Sequence, residues 1–212
     1  MKLKKLPIGI STLRTIIEED YLYVDKTKIA QELIENGQYY FLSRPRRFGK
    51  SLMLDTLRTI FDADKELFKN LHIYSSGYEF VKHPVIRISF NSGDFTTKES
   101  FHQRVFEIIN LNQRDLKITC NEKLSSSGCF EELIIKAYEK YNKKVVILID
   151  EYDKPILDNI ENTKVATIMR EELKNFYSII KGADEYLKFV FITGVSKFSK
   201  VSLFSGLNNL DD

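Results

Sequence analysis

The sequence predicts an α/β protein whose mostly parallel sheet is covered by helices on both faces. Three observations predict it. Several short runs are apolar along their whole length, as strands buried on both faces must be. The segments between them carry apolar residues at helical spacing. The two patterns alternate along the chain, with no internal repeat and no low-complexity linker, and that order favours parallel strands joined by helical crossovers.

The elements follow in chain order. Asp25 is placed to N-cap a helix over KTKIAQELIEN, and Gly37 to close it. YYFLS (39–43) is a short apolar run that ends at polar and basic residues, and it reads as a buried strand. KSLMLDTLRTIFD follows, with Leu52, Leu54, Leu57, Ile60 and Phe61 at helical spacing. HPVIRISFN (83–91) is a second strand, with Pro84 at its start, where a missing donor is tolerated. A helix is expected over roughly 97–112, then a stretch through SSSG that reads as a long loop. CFEELIIKAYEKYN is amphipathic. KKVVILIDEYD is the strongest strand, since Val145 to Ile149 are all apolar and mostly β-branched before the acids begin. VATIMREELKNFYSIIKG is a helix stopped by Gly182, and LKFVFITGVS is another wholly apolar strand.

Bulk properties exclude several functions. A length of 212 residues suits one domain or slightly more, and 43% hydrophobic with 29% charged residues is ordinary for a globular chain. A net charge of +2 provides no global field towards nucleic acid or membrane, so any such contact is local. Cys120 and Cys129 offer no disulfide framework, which points to a reducing, cytoplasmic setting. The basic opening MKLKKLPIGIS is followed by no signal-like apolar stretch, and no run approaches the roughly 18 residues that span a bilayer. His72, His83 and His102 are scattered and show no zinc spacing, so a structural role is expected of each.

The chemistry concentrates at FLSRPRRFGKSLMLDTLRTIF (41–61). Gly49, Lys50 and Ser51 end a phosphate-binding loop of the form G-x-x-x-x-G-K-[ST], but Arg44 stands where the first glycine belongs. The context is right, because the tripeptide follows a buried strand and opens a helix, whose free N–H groups and dipole attract an anion. Lys50 adds a point charge for the β- and γ-phosphates, the Ser51 hydroxyl is a Mg²⁺ ligand, and Gly49 permits close backbone approach. Loss of the first glycine removes turn freedom rather than a ligand, and Pro45 pre-sets part of the loop. A GKS tripeptide alone reads first as a solvated basic turn that caps a helix. The second element is VVILIDEYD, an apolar strand ending in Asp150 and Glu151. Asp150 suits a Mg²⁺ ligand, and Glu151 suits the base that orients and deprotonates water. A third strand, FVFITGVSK, ends in Thr193, which by itself reads first as a plain strand end and otherwise as a hydrogen-bonding partner for the γ-phosphate or the attacking water. Open α/β sheets bind ligands at the carboxyl ends of their strands, where all three features fall.

At these residues the sequence resembles the bacterial AAA-ATPase-like domain family, often fused to a PD-(D/E)XK nuclease-like domain. The shared segments are LPIGISTLRTIIEEDYLYVDKT, LSRPRRFGKSLMLDTL, HPVIRISF, VVILIDEYDKPI and FVFITGVSKFSKVSLFSGLNNL, spanning residues 6 to 210. RPRRFGK and IDEYDKP together are specific, and the arginine in place of the first glycine is that family's own form. The resemblance implies a P-loop NTPase fold, three-layer α/β/α, of the additional-strand, catalytic-glutamate class, with the strand ending at Thr193 between the two motif strands. By matching position, Lys50 and Ser51 belong to the Walker A motif, Asp150 and Glu151 to Walker B, and Thr193 to the sensor. The implied activity is Mg²⁺-dependent ATP hydrolysis, with Glu151, Lys50 and Thr193 catalytic, Ser51 and Asp150 on the metal, and Arg46, Arg47, Phe48, Gly49, Lys50, Ser51 and Leu52 around the nucleotide.

The resemblance makes the chain one domain, with residues 1–38 an N-terminal segment near the adenine and 39–212 the core. For Tyr21 and Tyr23 in YLYVDKT, a plain core role is the competing expectation. Arg46 and Arg47 have three readings: neutralising the triphosphate, touching a partner such as DNA, or simply being solvated. Lys197 or Lys200 is a candidate finger for a neighbouring copy, a role arginine fills better. The family continues into a helical lid and a nuclease-like domain, whereas this sequence stops at GLNNLDD, so both are expected to be missing. Closure assembles a catalytic constellation, so binding survives such a loss better than turnover. The competing function is a nucleotide-gated switch that acts through DNA, a nuclease-like domain or self-association.

Overall fold

The computed structural model describes residues 3–121 and 123–196. Four strands form one sheet: β1 (Tyr39–Ser43), β2 (Val85–Ser89), β3 (Val145–Asp150) and β4 (Leu187–Gly194). Their order is β1-β4-β3-β2, and every pairing is parallel. β4, last in sequence among the described strands, lies between β1 and β3, as the family resemblance implies. All the carboxyl ends therefore share one edge.

Alternation along the strands divides the core in two. Val145, Ile147 and Ile149 face a layer built from α5 (Lys98–Leu116), α6 (Ser126–Tyr141) and α8 (Thr163–Gly182). Val146 and Leu148 face the opposite layer, which holds α1 (Leu13–Glu18), α2 (Thr27–Asn36), α3 (Lys50–Phe61) and α4 (His72–Ser75). β3 is buried at every position, which is why it reads as continuous rather than alternating hydrophobicity. Removing each Leu, Ile or Phe side chain from water contributes about 1.5–3 kcal/mol. On β4 the register slips beside Val145/Val146; beyond the slip Phe189 and Phe191 stack on the α3 side while Val190 and Ile192 join the core beneath α5, α6 and α8.

Polar staples fix the N-terminal segment to this core. Asp55, buried on α3, accepts the Leu13 amide at 2.8 Å and lies 3.4 Å from Arg58 and 3.7 Å from Arg87. Asp25 does not cap from the expected position. The helix begins one residue later, with Lys26 at the cap, and the Asp25 carboxylate instead accepts the amides of Thr27 and His72, tying α2 to α4. Gly37 ends α2 in extended rather than left-handed backbone.

Most expected elements appear within one or two residues. The stretch read as a long loop is mostly helical at both ends: α5 runs on to Leu116, closed by Lys117 in left-handed backbone, and α6 begins at Ser126. Asn112 explains the extension, since its side chain packs inward and bonds both the amide and the carbonyl of Arg87 on β2. The last short helix, α7 (Lys154–Leu157), directly follows the acidic motif.

Candidate site at the carboxyl edge of the sheet

The chain leaves β1 at Ser43, turns through residues 44–49 and enters α3 at Lys50. Gly49 caps that helix at φ +77°, where a side chain costs about 1–2 kcal/mol. The other left-handed residue in the turn is Arg47, at φ +68°, not Arg44. The position lacking the usual glycine therefore adopts a conformation that needs none. The Met53 amide donates to the Gly49 carbonyl, leaving the amides of Lys50, Ser51 and Leu52 ahead of the helical ladder and aimed out of the helix start.

Lys50 is 7% exposed and curls back across the turn, its Nζ donating to the carbonyls of Arg44 at 2.9 Å and Pro45 at 3.0 Å. Arg44, Arg46 and Arg47 are exposed, and Phe48 projects outward with 67% of its surface free. Asp150 ends β3 and joins the neighbouring elements. Its Oδ2 accepts from Ser51 Oγ at 2.7 Å, and its Oδ1 accepts from Thr193 Oγ1 at 2.7 Å. Thr193 is fully buried on β4.

Glu151 follows in left-handed backbone, at φ +51°. Such conformations cost about 1–3 kcal/mol and persist only where surrounding contacts over-determine them. Burial and the Asp150 charge push its carboxyl above the ordinary range, while Lys154, Arg46 and Lys50 pull the other way. The over-determining contacts come from the next two residues. The Tyr152 amide donates to Thr193 O at 3.0 Å, and Asp153 Oδ2 accepts the amides of Val195 and Ser196 at 3.0 and 2.7 Å.

The fold thus gathers Lys50, Ser51, Asp150, Glu151 and Thr193 at one edge. Arg46 acts on Glu151 through its charge. Leu52 is half-buried against the α3-side core, so its contribution to the edge is its amide. Tyr23 is half-buried against the same core, and burial raises its phenol; Tyr21 is half-buried too. Lys197 and Lys200 lie outside the described residues. Three residues at the site were not anticipated. Ser43 Oγ donates to Val195 O at 3.1 Å, and Tyr152 and Asp153 hold the end of β4. The signal for the last two was present in IDEYD, where an aromatic residue and a third acid follow the strand.

The oxygen donors fit a hard cation. Among the described residues no group of three or more His, Cys, Asp or Glu could hold a metal alone. A hydroxyl and a single carboxylate in contact, as at Ser51 and Asp150, match the sparse protein contribution that Mg²⁺ accepts when phosphates and water complete its shell. No helix among the described residues is long and apolar enough to cross a membrane.

A crystal structure of Cdc6p from Pyrobaculum aerophilum aligns with 89% of this chain and 43% of its own, at 18% identity and a TM-score of 0.42. An uncharacterized protein in the vnfD 5' region of Azotobacter chroococcum mcd 1 is 49% identical over 213 residues, covering all of this chain. The chain spans 41% of that relative's length. The model of the family described as predicted AAA-ATPase matches residues 7–204. On that match the chain belongs to the predicted AAA-ATPase family.

Proposed function

We propose that the chain binds ATP with Mg²⁺ at the carboxyl edge of its sheet, and that the site is built to hydrolyse the nucleotide with water. The observation that carries this reading is the Asp150 carboxylate, which takes hydroxyls from Ser51 and Thr193 and so links the start of α3 to the ends of β3 and β4. In this reading Ser51 Oγ and Asp150 hold Mg²⁺, which supplies charge neutralisation and a template for the phosphates. The amides of Lys50, Ser51 and Leu52 donate to phosphate oxygens. Lys50 exchanges the carbonyls of Arg44 and Pro45 for the β- and γ-phosphates, an exchange its flexible stem permits. Arg46 and Arg47 add charge from the loop. Thr193 orients the γ-phosphate or the water, and Glu151 accepts the water's proton. A carboxylate directly after Asp150 favours water over an acceptor hydroxyl, hence hydrolysis over phosphotransfer.

A second reading rests on the outward face of the loop. Arg44, Arg46, Arg47 and Phe48 are all exposed, which suits a nucleotide-gated module that touches DNA or a fused domain. The relative's additional length gives such coupling a place to act. The deciding experiment is thermal unfolding with ATP and GTP, with and without Mg²⁺, on wild type and Lys50→Ala. At 100 times the dissociation constant, stabilisation is about 2.7 kcal/mol, which raises Tm by roughly 5–10 °C for a chain of this size. Lys50→Ala removes most of that shift. No shift with any nucleotide in wild type refutes the site, and release of free phosphate separates a hydrolase from a switch.

A further inference from the structure

The second half of the acidic motif, Tyr152 and Asp153, has no part in that reaction, yet its side chains are among the most enclosed in the molecule, at 0% and 1% exposure. Both are directed at one place, the backbone that leaves β4 after Thr193. Asp153 Oδ2 accepts the amides of Val195 at 3.0 Å and Ser196 at 2.7 Å. Tyr152 Oη donates to the Ser196 carbonyl at 2.7 Å, and its ring meets Phe41 of β1 edge-on at 5.2 Å. Gly194 lies directly beneath both. A Cβ there would stand 2.2 Å from Tyr152 Cε1 and 2.9 Å from Asp153 Oδ1. The same backbone is held from the other side by the start of the phosphate loop, where the Arg44 amide donates to Gly194 O at 3.2 Å and Ser43 Oγ donates to Val195 O at 3.1 Å. Asp153 Oδ1 is buried with no hydrogen-bond partner among the described residues. An acid at this position supplies the acceptor for the two amides bonded to Oδ2, since an apolar side chain of the same shape would leave both without a partner.

We propose that Tyr152 and Asp153 are positioning residues that clamp residues 194–196 to the turn bearing Glu151, so that the nucleotide state at Asp150 and Glu151 is passed to the chain beyond Ser196. This rests on the nucleotide site proposed above. Glu151 in left-handed backbone, one residue from Tyr152, is the strained joint, and any change in its φ rotates the two side chains that hold Val195 and Ser196. The opposing contacts from Ser43 and Arg44 make the segment sensitive to the separation of the loop and the acidic turn.

Hydrogen exchange of the 190–200 peptide, with and without Mg-ADP, tests this in wild type, Tyr152→Phe, Asp153→Asn and Asp153→Ala. Thermal shift by Mg-ATP is read in parallel. Wild type is expected to protect the Val195 and Ser196 amides and to change that protection when nucleotide binds. Asp153→Ala is expected to speed exchange there about tenfold or more, the loss of a charge-assisted hydrogen bond, while β3 keeps its protection and Mg-ATP still shifts Tm. Tyr152→Phe is expected to keep the fold and blunt the nucleotide response, so the test survives if Asp153→Ala does not fold; Asp153→Asn, which keeps an acceptor, is expected to fall between. A segment that responds to nucleotide equally in all four proteins overturns the clamp and leaves the binding reading intact. A wild type that Mg-ATP does not stabilise overturns both.

Discussion

Ser51 on α3 and Asp150 on β3 are 99 residues apart in sequence, and a 2.7 Å hydrogen bond joins them. Thr193 completes the bridge from β4 through the other oxygen of the same carboxylate. Neither motif has this chemistry alone: the loop lacks a carboxylate and the acidic strand lacks an anion cradle.

The two acids are expected to separate on substitution. Asp150→Ala should weaken Mg²⁺-dependent nucleotide binding, because it removes the only carboxylate bonded to Ser51 among the described residues. Glu151→Gln should keep binding and lose turnover by about 10²–10⁴, the usual loss for a general base. Titration with a fluorescent ATP analogue and a phosphate-release assay check both. Normal hydrolysis by Glu151→Gln would mean that another group is the base.

Arg46 and Arg47 are expected to act on phosphate charge. Changing both to Ala should weaken ATP far more than adenosine in competition binding. If ATP affinity holds while DNA affinity falls, the arginines serve a partner instead, and the salt slope becomes shallower by about one unit for each DNA phosphate they had neutralised. Equal weakening of adenosine and ATP would show that the loop has misfolded.

Gly194 should not tolerate a methyl group. Alanine would bring Cβ to 2.2 Å from Tyr152 Cε1, and neither that ring nor the Asp153 carboxylate has room to retreat. Overpacking of this kind costs about 1–3 kcal/mol. Urea unfolding followed by circular dichroism should show the destabilisation, and an unchanged midpoint would contradict the tight approach. Gly49→Ala should be damaging for a different reason: there is open space around its Cβ position, but the backbone is left-handed.

His83 should contribute to acid sensitivity. It is half-buried against Phe61, its Nδ1 lies 2.7 Å from the Lys144 carbonyl, and burial with Lys188 and Lys143 nearby lowers its pKa. The folded state therefore binds a proton less readily than the unfolded chain. The stability this supplies is present above the ordinary histidine range near about 6.5, and is lost as pH falls through the depressed folded value. Unfolding midpoints of wild type and His83→Gln should converge as pH drops from neutral towards 5. Parallel pH dependence of the two would refute the assignment.

The sequence by itself determined the layers and the edge. Five apolar residues in a row at Val145–Ile149 read as burial on both faces, and a strand followed after a short turn by GKS and a helix marks where an anion is expected. Local signals of this kind are legible because their cause lies within a few residues. Tertiary structure decided what depends on distant partners. Asp25 yields its capping position because the His72 amide, from α4, also takes its carboxylate. The helix at Lys98 runs past its expected end because Asn112 finds the edge of β2. Tyr152 and Asp153 read in sequence as the tail of an acidic turn, and they become a clamp only because β4 inserts between β1 and β3 and brings Val195 and Ser196 beneath them. Hydrogen bonds between residues 25 to 47 positions apart leave no periodicity in the chain, so only the folded backbone reveals them.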